Sequence, residues 1–362
     1  MEETYLMNRK SLLWSFILIM MLVLAGCGGQ TVGNTAGVTA DQGKTTNTAD
    51  SDNSQTNSAS DTTTDQSSSE DNATTTPSIT SNSDGSYVVK SAWGETTLPR
   101  SPQKIVTLHF SFTDEVVSLG ITPVGIAGSY NAEVLGYLKD KVKDYTFVGN
   151  HQQPNLEVIS SLKPDLIIAN ADVHGAIRDD LEKIAPTIAL YTNGYGDMEQ
   201  NFAVLGTLLD KDKEYEQVMS EFNSNIEQTH SKITGTPKVM VVKVLEKNFY
   251  IWMKTSYIAT LLEKIGAEYS FDETKSSQQQ TPGKIDVADV DLETLVQENP
   301  DYLVIYGAQA DLDKWMGNST FQTINAVKNN HVLVVNDEVW ALGKGPLSGA
   351  EVMEEALPFF TK

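Results

Sequence analysis

Five histidines, one cysteine and three arginines are the main stock of metal-, thiol- and anion-binding side chains in this 362-residue chain. His109, His151 and His174 each follow an apolar run, and Asp172 stands near the last of them. Neutral imidazoles with a carboxylate suit a zinc- or manganese-type ion. His230 and His331 have no evident metal partner in the sequence, and there is no His-rich loop. A second group surrounds the histidines. Phe110, Ser111, Asn150, Gln152 and Tyr191 follow apolar runs of the first half; Tyr250, Trp252, Lys254, Tyr306, Gln309, Trp340 and Lys344 occupy similar places in the second. Aromatic faces with a few polar groups suit recognition of a bulky, partly apolar ligand. For each of them the plain alternative is core packing or an ordinary loop. Catalytic motifs are missing: no Gly-x-Ser-x-Gly elbow, P-loop, Gly-x-Gly-x-x-Gly after a strand, or His-Glu-x-x-His. Ser348, in Gly345-Pro346-Leu347-Ser348-Gly349, reads as the N-cap of a last helix. The pattern is that of a binder, not an enzyme, with no cofactor or resident metal.

The single cysteine stands in Leu24-Ala25-Gly26-Cys27, after the basic pair Arg9 and Lys10 and an apolar run from Leu12 to Leu24. That run falls short of the ~20 apolar residues that span a bilayer. Charged start, apolar centre and small residues before a cut describe an export signal. The stretch resembles the lipobox of bacterial lipoproteins. The resemblance implies that residues 1–26 are removed and that Cys27 is lipidated, anchoring the chain to a membrane on its extracytoplasmic side. Two acyl chains suffice for stable anchoring. With Cys27 so used, the folded part has no disulfide, thiol nucleophile or thiolate site. The net charge of -22 excludes nucleic acid and anionic lipid as partners. Residues 27–86 are rich in Ser, Thr, Asn, Asp and Gln. Such a segment buries too little to offset its ordering entropy and reads as a tether, or as a glycosylated stalk.

The remaining residues must position the chemistry. Lys104–Leu108, Pro123–Ile126, Asp165–Ala169 and Thr187–Leu190 read as strands, with helices over Asp114–Leu119 and Leu156–Leu162. From Met198 to Ile233 the spacing predicts a short helix and then a long one. Strands follow at Lys238–Leu245, Phe249–Met253, Tyr302–Tyr306 and His331–Val335, with helices at Ile258–Ile265 and Ala350–Phe360. Alternation of this kind predicts an α/β fold with mostly parallel sheets. The expected organisation is an N-terminal lobe at 87–200, connecting helices at 201–235 and a C-terminal lobe at 236–362.

The halves echo each other. Asn155-Leu156-Glu157-Val158-Ile159 precedes Lys163-Pro164-Asp165-Leu166-Ile167, and Asp291-Leu292-Glu293-Thr294-Leu295 precedes Asn299-Pro300-Asp301-Tyr302-Leu303 at the same offset. A repeated unit predicts two similar lobes and a cleft between them. Asn155 and Asp291 read as N-caps. Glu157 and Glu293 then fall in the first helical turn, where the helix dipole favours a carboxylate.

These stretches resemble the periplasmic-binding-protein family that serves iron-siderophore, haem and cobalamin importers. The resemblance rests on Lys104-Ile105-Val106, Val148-Gly149 with Gln153-Pro154-Asn155-Leu156-Glu157, and the two Pro-Asp repeats. Together with Leu108-x-Phe110-Ser111-Phe112, they are most similar to the ferric-citrate-type members. It implies two Rossmann-like lobes joined by a long backbone helix, with a ligand cleft between them. It implies a monomeric solute-binding protein that captures a ferric siderophore, of citrate or hydroxamate type, and delivers it to an ABC-importer permease. Glu157 and Glu293 are, by motif position, the residues that dock on the permease. Haem, cobalamin or a bare zinc or manganese ion are the other cargoes such a design serves. Beyond Arg9 in the leader, only Arg100 and Arg178 are present to clamp an anionic chelate. That departs from the ferric-citrate pattern, and leaves Lys254, Lys344 and the histidines as the cations.

Overall fold

The computed structural model describes residues 76–271 and 286–361. The leader, Cys27 and the segment up to 75 lie outside the described residues. The described chain opens with β1 (Ser78–Ser81), β2 (Tyr87–Ser91) and β3 (Gly94–Leu98), a three-stranded antiparallel sheet. Ordered structure thus reaches into the stretch expected to be tether as far as 86. Ile79 packs against the core, and Asp84 closes the turn by accepting the Ser86 N–H at 2.9 Å.

The first lobe continues with β4 (Ile105–Thr107), α1 (Phe110–Ser118), β5 (Gly125–Gly128), β6 (Thr146–Asn150) and β7 (Gln153–Pro154). It ends with α2 (Leu156–Leu162), β8 (Leu166–Asn170), α3 (Arg178–Ile184) and β9 (Thr187–Leu190). The sheet runs β7-β6-β5-β4-β8-β9 and is parallel except at β7. Its central strands, Ile-Val-Thr and Leu-Ile-Ile-Ala-Asn, are buried throughout. Near-continuous apolar runs are what a parallel sheet covered on both faces requires. Helix α1 starts four residues before the expected Asp114. His109 caps it, its ring nitrogen Nδ1 accepting the Ser111 N–H at 3.3 Å. A histidine cap carries no common sequence signal, which hid this first turn.

The chain leaves the first sheet through α4 (Tyr195–Leu208) and the 21-residue α5 (Asp212–Lys232). The two are separated at Asp210, which adopts a left-handed backbone with φ 57°. The second lobe holds β10 (Lys238–Val244), β11 (Phe249–Trp252), α6 (Tyr257–Lys264), β12 (Glu268–Tyr269), β13 (Val287–Val290) and α7 (Leu292–Glu298). It continues with β14 (Tyr302–Gly307), α8 (Gln309–Met316), α9 (Asn325–Lys328), β15 (Val332–Val334) and α10 (Pro346–Phe360). Its sheet order is β13-β11-β10-β14-β15, with β12 alongside β10. Strand β11 is antiparallel to both neighbours, and the other pairs are parallel.

The sequence repeat is a structural repeat. Asn155 caps α2 and Asp291 caps α7, and each helix is seven residues long. Each ends on a left-handed residue, Lys163 at φ 50° and Asn299 at φ 46°. The Pro-Asp that follows enters the sheet the same way both times: Asp165 N–H donates to Lys104 O, and Asp301 N–H to Lys238 O. Among the described residues no helix is long and apolar enough to cross a membrane.

Helix α10 packs back on α1 and α5. It begins at Pro346, four residues before the expected Ala350, with proline at its first position. Ser348 is therefore not the N-cap. It lies in the first turn and accepts the Gly345 N–H at 3.0 Å. Gly345 has no side chain to cap the helix, and Asp114 of α1 does so instead. Its carboxylate accepts the N–H groups of Leu347 and Ser348, each at 3.0 Å. Tyr257 donates its hydroxyl to Gly345 O at 2.7 Å. The first lobe thus holds the start of the last helix through a buried carboxylate.

Candidate functional site

The carboxyl ends of the parallel strands in the two sheets face each other across a cleft of about 460 Å³. Ligands of open α/β sheets bind at such ends. In the first lobe, the loops after β4, β5, β6, β8 and β9 supply His109, Tyr130, His151, Asp172 and Thr192 to its wall. In the second, Lys243, Tyr250, Trp252 and Tyr306 come from strands, and Lys344 from the turn before α10.

At the base of the first wall, burial disfavours charge on both histidine rings, and a backbone N–H fixes His109 as neutral. His109 Nδ1 accepts the Ser111 N–H, so its proton sits on Nε2. Burial, then the nearby His151, Lys344 and His174, hold His109 well below the usual histidine range. His151 Nδ1 lies 3.3 Å from Gly128 O and donates to it, leaving Nε2 as an acceptor. Burial lowers its pKa as well. The two rings meet edge to face at 5.5 Å. Tyr130, 70% exposed, stands 5.9 Å from His151 at the rim and donates its hydroxyl to Gln152.

His174 does not line the cleft. It is fully buried, its Nδ1 accepting the Asn170 N–H at 2.9 Å and its Nε2–H donating to His151 O at 2.6 Å. It holds two loops in place. With both nitrogens bound to backbone, it has no lone pair for an ion. Among the described residues no group of three or more His, Cys, Asp or Glu side chains is placed to hold a metal. Asn170 accepts the N–H groups of Asp172 and Val173 and donates to Thr192 Oγ1 at 3.0 Å, which sets Asp172 against the cleft. Partial burial raises the Asp172 pKa.

The opposite wall is aromatic. Trp252 donates its Nε1–H to the Tyr306 hydroxyl at 3.0 Å. Burial raises the Tyr306 pKa, so the phenol stays protonated. Lys344 lies 5.5 Å from the Trp252 ring centre. Its ammonium pairs with Asp286 and donates to Thr192 O at 2.9 Å. It therefore ties the second lobe to the first, with its own charge already neutralised.

Of the residues expected at the ligand, His109, His151, Gln152, Asp172, Tyr250, Trp252, Tyr306 and Lys344 line the cleft. The others stand elsewhere. Phe110 belongs to the buried first turn of α1; its ring lies tilted on His109 at 4.0 Å and edge-on to His151 at 5.1 Å. Ser111 is buried beside it, its hydroxyl unpaired. Asn150 turns its side chain onto the Gln152 N–H. Tyr191 offers its carbonyl to Asn201 and does not line the cleft. Lys254 pairs with Glu263 at 3.0 Å. Trp340 is 1% exposed and donates to Glu355 at 2.6 Å. The reason for the last is a π-helical turn, Glu338–Leu342, which sends Trp340 into the core while Ala341 and Leu342 face the cleft. Gln309 likewise bonds along its own helix to Asp313.

Sequence reasoning missed Tyr130, Lys243, Asp286 and Asp337. Only Lys243 carried a signal: a lone charge inside the apolar run of β10, half-buried. The others sit on loops whose course depends on the whole fold. Glu157 and Glu293 both occupy the second position of their short helices, both exposed to solvent.

Fold and site together define a two-lobed solute receptor with its cleft at the strand ends. Residues 105–339 match the family described as periplasmic binding protein, and the chain belongs to it. It is 32% identical over 283 residues to the Fe(3+)-citrate-binding protein YfmC of Bacillus subtilis, covering 76% of this chain and 87% of that protein. It is 31% identical to the ABC transporter substrate-binding lipoprotein YhfQ of the same organism, described as putative, over 72% of this chain and 84% of that one. The crystal structure of Staphylococcus aureus SirA with staphyloferrin B superposes with a TM-score of 0.67 at 26% identity, over 75% of this chain and 97% of that one.

Proposed function

We propose that this protein captures a ferric siderophore in the interlobe cleft and delivers it to the permease of an ABC importer. The observation that carries the reading is the cleft itself: two mostly parallel sheets present an aromatic wall and an imidazole pair to one cavity sized for a chelate. Iron stays with its chelator, since the described cleft residues do not form a metal cage. The protein binds and releases without chemistry. Likeness to an iron-citrate receptor and to a substrate-binding lipoprotein supports this reading. In the same reading, 1–26 is a leader, Cys27 carries the lipid and 27 onward tethers a monomeric receptor outside the membrane. Glu157 and Glu293, alike in helix position and exposure, dock on the permease. Replacing both with arginine should abolish uptake while leaving ligand affinity unchanged; intact uptake would remove them from the docking surface.

The direct test is tryptophan fluorescence of the full chain in detergent, titrated with ferric citrate, a ferric tris-hydroxamate, a ferric tris-catecholate, haem, cobalamin and zinc. Saturable quenching by a ferric chelate, reduced by Trp252→Phe and absent with zinc, is the expected result. A response to zinc alone, lost in His109→Ala, would replace the reading with a metal-ion receptor.

A further inference from the structure

Resting on the receptor reading above, we infer that the cleft selects ferric chelates of neutral or positive overall charge, such as linear tris-hydroxamates, and disfavours polycarboxylate complexes such as ferric citrate. The inference comes from the charges that face the cavity. Among the described residues these are Lys243, Lys344, Asp172, Asp286 and Asp337. Lys344 and Asp286 cancel, and the Lys344 ammonium is further committed to Thr192 O. What remains is one lysine against two aspartates.

Histidine does not reverse the balance. His109 is held neutral by burial and by the Ser111 N–H that its Nδ1 accepts, and burial lowers the pKa of His151. Nor does arginine. Arg100 pairs with Asp210, and Arg178 with Glu182 and the Trp93 carbonyl, all away from the cleft. No guanidinium fork is left among the described residues to grip a carboxylate at two points. The net charge of -22 adds a long-range field of the same sign. A polyanion entering this cleft loses its hydration against a negative wall. A neutral ferric hydroxamate loses far less. Its amides match the polar lining at Asn131 and Asn193, and its methylene chain matches Trp252 and Tyr306. A pendant ammonium would meet Asp172 or Asp337.

The test compares three probes on the full chain by fluorescence titration: a linear ferric tris-hydroxamate with one terminal ammonium, its N-acetylated neutral form, and ferric citrate. The expected order is cationic, then neutral, then citrate, with citrate at least about tenfold weaker than the neutral form. Raising the salt concentration should weaken the cationic probe and strengthen citrate, because it screens attraction and repulsion alike. Asp172→Asn with Asp337→Asn should narrow the gap. Citrate binding as tightly as the neutral chelate overturns the inference and leaves the receptor reading standing. A preference for the cationic probe that ignores salt in the unmodified protein also overturns it. Failure of every ferric chelate to bind overturns the receptor reading itself.

Discussion

Glu115 is fully buried in α1, and neither carboxylate oxygen has a hydrogen-bond partner among the described residues. Asp114 beside it and Asp197 and Asn201 of α4 are the polar groups that face it. Burial, then the two aspartates, raise its pKa well above the ordinary 4.5. The folded protein therefore binds this proton more tightly than the unfolded chain does. Its contribution is most favourable below the unfolded pKa and is lost as pH rises toward the folded value. Glu115→Gln removes the titration. The melting temperature of the variant should match that of the parent near pH 4 and exceed it increasingly as pH rises above about 4.5. Parallel melting curves across that range would show that Glu115 titrates normally. Nothing in the sequence marks this position: Asp114-Glu115 reads as an ordinary acidic pair at a helix start.

The element most exposed to a single substitution is α10. A Cβ on Gly345 would lie 2.2 Å from the Asp114 carboxyl carbon. Gly345→Ala must push that carboxylate off the Leu347 and Ser348 N–H groups, leaving a buried acid and an uncapped helix. The expected loss is about 2–3 kcal/mol, read as a lower urea midpoint at unchanged slope. An unchanged midpoint would mean that α10 does not depend on Asp114. At this scale the sequence was largely legible. Leu156–Leu162 and Thr187–Leu190 fall where their apolar spacing places them, and the repeated helices end where Pro-Asp requires. Starts were harder. The first turns of α1 and α10 were hidden because their caps are a histidine and a carboxylate 233 residues away.

Between the lobes, Lys344 and Asp114 act at the same turn before α10. One crosses the cleft to Thr192 O, and the other clasps the last helix. The Lys344 and Asp286 side chains are only 13% and 17% exposed, so removing one partner strands the other. Lys344→Met should cost about 2–3 kcal/mol and increase the radius of gyration of the unliganded protein in solution scattering. Lys344→Met with Asp286→Leu should recover much of the stability and none of the compactness. A single variant as stable and compact as the parent would show that the bridge does not hold the lobes.

Local spacing determined the two α/β lobes, the paired helices that carry Glu157 and Glu293, and the link through α4 and α5, because apolar period and turn chemistry act within a few residues. It also placed eight cleft residues, six of them on or after parallel strands, whose carboxyl ends point toward one edge, and Tyr250 and Trp252 on the antiparallel β11. Only the tertiary structure decided that Trp340 turns inward while Lys243 and Asp337 face the cavity. Only the fold decided that His174 is a brace. The side of a turn that meets a ligand depends on which distant backbone satisfies its hydrogen bonds. No short stretch of sequence contains that partner.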